Sequence, residues 1–190
     1  MSRENLRVFI AIDIDNPVVL DNLEKVRDLL VETGADLKPV SRENMHITLR
    51  FIGHVPIETT NKICELLKNV RFTQFKARVK GVGVFPNINR PRVIWAGVSE
   101  GVEELTRLHD TVEKLLRRIR ITPQREKFIP HITLARVKTG RNRESLIKLI
   151  GQLADYDFGE INVREIVLKN SILTPSGPIY SDICRVRAED

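Results

Sequence analysis

Apolar and polar positions alternate from residue 7 to residue 14, with Val8, Ile10, Ile12 and Ile14 on one face and Phe9, Ala11 and Asp13 on the other. That period of two predicts a strand. The period then lengthens: Leu20, Leu23, Val26 and Leu30 fall three or four apart, Asn16 and Pro17 suit a helix cap and first turn, and Gly34 supplies the stop. A strand is predicted over residues 45–52, and a helix over 58–70 with Ile63, Leu66, Leu67 and Val70 on its buried side. Strands over 75–84 and 92–98 follow, joined by the Pro- and Asn-rich loop 86–91.

The order then recurs. A helix over 102–119 carries Leu105, Leu108, Val112, Leu115 and Leu116, a strand begins near residue 129, a helix spans 144–153, and strands occupy 160–173 and 179–186. Thr174-Pro175-Ser176-Gly177-Pro178 marks the turn between the last two. A helix, a strand, a helix and a strand pair thus occur twice. This predicts an α+β fold of two similar lobes, each an antiparallel sheet flanked by helices. No linker rich in Gly or Ser separates them, so residues 1–190 are expected to form a single domain with a shared core.

The recurrence is sharpest at one tetrapeptide. His-Ile-Thr-Leu occurs at His46 to Leu49 and again at His131 to Leu134, 85 residues apart, and takes two of the four histidines. On a strand each copy puts His and Thr on one face and Ile and Leu on the other, so one side serves the core while the other offers a polar pair. A single His-x-Thr is commonplace. Two copies in matching contexts, with Arg50-Phe51-Ile52-Gly53 after the first and Ala135-Arg136-Val137 after the second, are not. Two imidazoles and two hydroxyls around a cleft suit phosphoryl chemistry. One ring can accept a proton while the other donates one, and Thr hydroxyls can hold non-bridging phosphate oxygens without a metal.

Charge and cysteine content adjust this picture only modestly. The net charge of +6 favours a polyanionic partner. Basic residues cluster locally at Lys76, Arg78 and Lys80, at Arg90 and Arg92, at Arg117, Arg118 and Arg120, and at Lys138, Arg141 and Arg143. No apolar stretch approaches membrane-spanning length, and residues 1–8 lack a secretory signal, so a cytoplasmic location is expected. No predicted helix is apolar on two faces, so a monomer is expected. Cys64 and Cys184, far apart in sequence, are expected to be reduced thiols, and no spacing of His and Cys suggests a metal site. His54 and His109 lack the motif context and are expected at the surface.

The segments Arg7-Val8-Phe9-Ile10-Ala11-Ile12, His46-Ile47-Thr48-Leu49-Arg50-Phe51-Ile52-Gly53, Pro130-His131-Ile132-Thr133-Leu134-Ala135-Arg136 and Ser171-Ile172-Leu173-Thr174-Pro175-x-Gly177-Pro178-x-Tyr180 carry a likeness over essentially the whole chain. They resemble the RNA 2′,3′-cyclic phosphodiesterases, the LigT-like or 2′-5′ RNA ligase-like branch of the 2H phosphoesterases. The resemblance implies a bilobal, pseudo-twofold fold with both motifs in one cleft. It also implies cofactor- and metal-independent opening of a 2′,3′-cyclic phosphate at an RNA end to leave a 2′-phosphate. His46 would be the proton donor to the leaving 3′-oxygen and His131 the proton acceptor that activates water. The two motifs are locally alike, so that order comes from the family alone.

Thr48 and Thr133 would hold the phosphate oxygens. Phe51 and Arg136, each five residues after a motif His, would line the pocket as a base-stacking ring and a phosphate-binding guanidinium. An odd offset lies on the face opposite His unless a bulge intervenes. Phe9 could approach the base as well. Ligation of tRNA halves through a 2′-5′ bond and a non-catalytic nucleotide- or RNA-binding module are the alternative functions.

Overall fold

The alternating run at the N-terminus forms β1 (Asn5–Asp13), and the amphipathic stretch after it forms α1 (Pro17–Glu32). The Asn16 side chain accepts a hydrogen bond from the Val18 N–H at 3.0 Å, which caps α1, and donates to the Glu160 carbonyl at 2.9 Å. Val19, Leu23, Val26 and Leu30 are the buried side of this helix. The chain continues through β2 (Leu37–Pro39), β3 (His46–Pro56), α2 (Ile57–Leu67), β4 (Phe75–Phe85), β5 (Val93–Glu100) and α3 (Val102–Arg117). It closes with β6 (His131–Val137), α4 (Arg143–Gln152), β7 (Asp157–Val163), β8 (Glu165–Thr174) and β9 (Gly177–Arg187). The computed structural model describes residues 4–190.

The strands lie in the order β7-β4-β5-β6-β3-β1-β8-β9, with β2 on β6, and each strand pairs antiparallel with its neighbours. The order is symmetric about the β6–β3 junction, where Ile47 pairs with Ile132. This junction joins the two lobes, one of four strands and one of four plus β2, into one nine-stranded sheet. α1 and α4 pack on the lobe containing β6, and α2 and α3 on the lobe containing β3. Ile47, Leu49, Ile132 and Leu134 are fully or almost fully buried in a core continuous through both lobes.

Three expectations need correction. The lobes are not the two halves of the sequence: the lobe of β3 also takes β1 and the last two strands, while β4 and β5 join β6 and β7 in the other. The run predicted as one strand over 160–173 is two, because the chain crosses between lobes at Arg164. β7 pairs with β4, and β8 pairs with β1 and β9. Finally, Cys64 on α2 and Cys184 on β9 form a disulfide, their Cα atoms 6.2 Å apart. Packing of α2 against β9 brings together thiols separated by 120 positions in the chain.

Candidate active site

Both motif strands begin at their histidine, and the burial pattern from that point is the same in each: His and Thr half-buried, Ile and Leu buried, then a second consecutive buried residue. The ladders explain the second buried position. Against β1, Thr48 pairs with Ala11 and Arg50 with Ile10, leaving Leu49 unopposed; against β5, Thr133 pairs with Trp95 and Ala135 with Ile94, leaving Leu134 unopposed. These are matching β-bulges. Each shifts the alternation by one residue and returns the fifth position after His to the His face. Phe51 and Arg136 therefore lie on the same face as the motif histidines, both exposed.

The Ile47–Ile132 pairing sets the register across the β3–β6 junction, which puts His46 opposite Thr133 and Thr48 opposite His131. The imidazole orientations match as well. His46 Nδ1 lies 2.7 Å from the Asn44 carbonyl oxygen, and His131 Nδ1 lies 2.7 Å from that of Ile129. A carbonyl only accepts, so each Nδ1 carries the proton and each Nε2 offers a lone pair. At His46 that lone pair accepts from the Thr48 hydroxyl at 2.9 Å. Among the described residues no side chain bonds Nε2 of His131.

Each ring is seated against aromatic side chains. His46 packs 5.0 Å from Phe9 and 5.5 Å from Tyr180, which also meet each other at 4.9 Å; His131 packs 4.9 Å from Phe85 and 6.1 Å from Trp95. Gly83, paired with Trp95, leaves room for the indole, which a Cβ there would overlap. Burial penalises the charged form of both rings. It lowers the pKa of His46 from 6.5 to about 4, helped by the nearby charges of Lys169 and His131. That of His131 is also lowered, by burial and then by the Arg136 guanidinium.

Phe51, 46% exposed, lies under the Arg7 guanidinium at 4.6 Å, and Arg7 donates to the Ser171 hydroxyl at 3.0 Å. Phe9 corrects an expectation. At 3% exposure it has no free face for a base and acts instead as the seat of His46. His54 is exposed as expected, but His109 is buried and stacked on Phe128 at 4.4 Å, because the segment after α3 folds back over it.

Several residues near the rings escaped sequence reasoning. Tyr180 stands at the end of the C-terminal segment that begins at Ser171, but it reaches His46 only because β9 returns beside β8. Asp13 pairs with His46 in the ladder and holds Lys169 Nζ at 3.0 Å, while Asp182 holds it at 2.8 Å. Burial opposes the charge on Lys169, but these carboxylates outweigh it and keep its pKa above the ordinary value. Only the antiparallel return of β8 and β9 assembles this cluster, so no sequence pattern announces it.

A two-lobed antiparallel sheet with four helices, carrying paired His-x-Thr strands at its centre, defines the class. Comparisons with known proteins agree. The family model described as LigT like Phosphoesterase matches residues 14–95 and 97–180. The chain is 43% identical over 170 residues to an RNA 2′,3′-cyclic phosphodiesterase of Aeropyrum pernix, covering 90% of this chain and 97% of that one. A protein of the same name from Archaeoglobus fulgidus is 41% identical over 180 residues, covering 94% and 98%. The crystal structure of TT0787 of Thermus thermophilus has a TM-score of 0.80 and 29% identity, covering 96% of this chain and 97% of that one. The chain belongs to the LigT-like phosphoesterase family.

Proposed function

We propose that this enzyme hydrolyses 2′,3′-cyclic phosphates at RNA ends to 2′-phosphomonoesters, both lobes acting as one domain. The observation that carries the reading is the pair of imidazoles held by carbonyls in the same tautomer, each with a Thr two residues on. The names of the relatives supply the substrate class. His131, whose Nε2 lone pair is unoccupied, accepts a proton from water as it attacks phosphorus. His46, protonated on Nε2 once the anionic phosphate is beside it, donates to the leaving 3′-oxygen. Thr48 and Thr133 hold the non-bridging oxygens, joined by Arg136, and Phe51 offers its exposed ring to a base.

The test is incubation of EDTA-treated protein with an RNA oligomer ending in a 2′,3′-cyclic phosphate. A 2′-phosphate product is expected, identified by mass and by its resistance to a phosphatase specific for 3′-phosphates. His46→Ala and His131→Ala are each expected to lower turnover at least roughly hundredfold. A 3′-phosphate product, or full activity in either variant, would refute the assigned roles. Joined product from paired tRNA halves would favour the ligase instead.

A further inference from the structure

Most basic clusters of this chain are accounted for locally. Lys76 pairs with Glu160 at 3.0 Å and Arg78 with Asp157. Arg117, Arg118 and Arg120 lie at or just beyond the C-terminus of α3, where cations offset the helix dipole. One cluster is not. Arg90, Arg92, Lys138 and Arg143 line a notch of about 210 Å³ together with Pro91, Val137, Thr139 and Gly140. All four cations are exposed, and among the described residues none is within salt-bridge distance of a carboxylate. Glu144, next to Arg143 in the chain, and Asp36, whose backbone carbonyl accepts from the Lys138 N–H at 2.8 Å, form no ion pair with any of them.

The notch is built rather than incidental. Asn87 accepts from the backbone N–H groups of Asn89 and Arg90, each at 3.1 Å, which fixes the loop before β5. Arg143 donates to the Asn89 carbonyl at 3.1 Å and ties that loop to α4, while the Val137 N–H donates to the Arg92 carbonyl at 2.9 Å. Four like charges held together without counter-charge repel one another, so an anion entering the notch relieves that repulsion as well as forming new bonds. Guanidinium forks and an ammonium suit phosphate oxygens.

The notch also lies on a continuous path from the site. β6 carries His131 and Thr133 at one end, exposed Arg136 further along and Lys138 just beyond its last residue. At about 3.3 Å per residue Val137 and Lys138, six and seven positions on, place the notch roughly 20–23 Å from His131, beyond the reach of a single nucleotide. We propose that this notch binds the phosphodiester backbone of an RNA strand upstream of its reacting 3′ end, so that the site favours oligonucleotides over mononucleotides. The inference rests on the proposed action at RNA ends and adds a second anchoring point to it.

The test compares the parent protein with the quadruple variant Arg90→Gln, Arg92→Gln, Lys138→Gln, Arg143→Gln. One measurement is equilibrium binding of a fluorescent single-stranded RNA oligomer with a 3′-phosphate, at stepped salt. The other is kcat/KM on the same oligomer with a 2′,3′-cyclic phosphate and on a nucleoside 2′,3′-cyclic phosphate. The variant is expected to bind the oligomer roughly tenfold or more weakly, with a log–log salt slope shallower by about 0.7 for each phosphate no longer neutralised. Its kcat/KM should fall on the oligomer and hold on the mononucleotide, which also reports that it is folded. Unchanged oligomer binding, or an equal loss on both substrates, overturns the proposal. A parent that hydrolyses neither substrate would refute the proposed function instead, and the binding comparison would still decide the notch.

Discussion

Both motif imidazoles are neutral in the free protein at pH 7, because their seats cost the charged form more than the Nδ1 hydrogen bonds return. General acid–base catalysis needs one ring charged and one neutral. The free enzyme reaches that state only between the two lowered pKa values, so kcat/KM is expected to peak below pH 6.5. A bound cyclic phosphate brings a negative charge that raises both values, so the kcat profile should lie at higher pH than that of kcat/KM. Initial rates across pH 4–9 check this, and a kcat/KM optimum at pH 7 or above would contradict the burial of the rings. The same shift affects stability. Unfolding returns His46 from about 4 to 6.5, so the unfolded chain binds the proton first. The contribution is complete above pH 6.5 and is lost as pH falls toward 4, on the order of 3 kcal/mol at most. Chemical denaturation at stepped pH should show that loss, and His46→Phe, which removes the titrating group, should flatten it.

At the scale of the element, the decisive features are the two bulges, and they mark the limit of what the sequence discloses. Periods of two and of three to four residues placed most of the strands and helices, and the repeated tetrapeptide placed both His–Thr pairs on one face. Phe51 and Arg136 could not be placed without knowing that Leu49 and Leu134 would stand unopposed. What holds the first bulge is distant in the chain. Arg50, buried directly after Leu49, bonds Glu113 of α3 and the carbonyls of Phe51 and Thr122. The Glu113 carboxylate also meets the Gln124 N–H at 3.5 Å, within the segment that leads to the second motif. Locally, a charged residue after an apolar run suggests a strand end at the surface; its partner lies 63 residues on. Arg50→Met leaves Glu113 buried and unpaired, an expected loss of about 3–5 kcal/mol. The double variant Arg50→Met, Glu113→Leu should recover much of it. Urea unfolding of both variants and the parent measures this, and equal losses in the two would mean that the ion pair is not the cause.

For the whole molecule, the 85-residue repeat correctly announced two lobes but misassigned their members. Periodicity reports which face of an element is buried, not which neighbour covers it. Only the pairing of β8 with β1 reveals that the chain returns to the lobe where it began. That return also explains the disulfide. β9 flanks β8 on the outer edge of the lobe of β3, α2 packs against the same lobe, and Cys184 therefore meets Cys64 although nothing in their sequence spacing relates them. The bond closes a loop over 120 positions that contains the whole second lobe apart from α1 and β2, so its removal frees a long stretch of the unfolded chain. Loops of this length place the expected stabilisation at about 2–5 kcal/mol. For a chain of this size each kcal/mol corresponds to roughly 2–4 °C in Tm. Reduction, or the double substitution Cys64→Ser, Cys184→Ser, should therefore lower Tm by about 5–15 °C. The imidazoles are seated by Phe9, Tyr180, Phe85 and Trp95 and not by the disulfide, so turnover at 25 °C should be unchanged. Calorimetry with and without reductant, beside an assay at that temperature, tests both halves of the expectation. A Tm indifferent to reductant would show the two thiols unbonded in solution. A matching loss of activity would show that the packing of α2 on β9 helps to set the cleft.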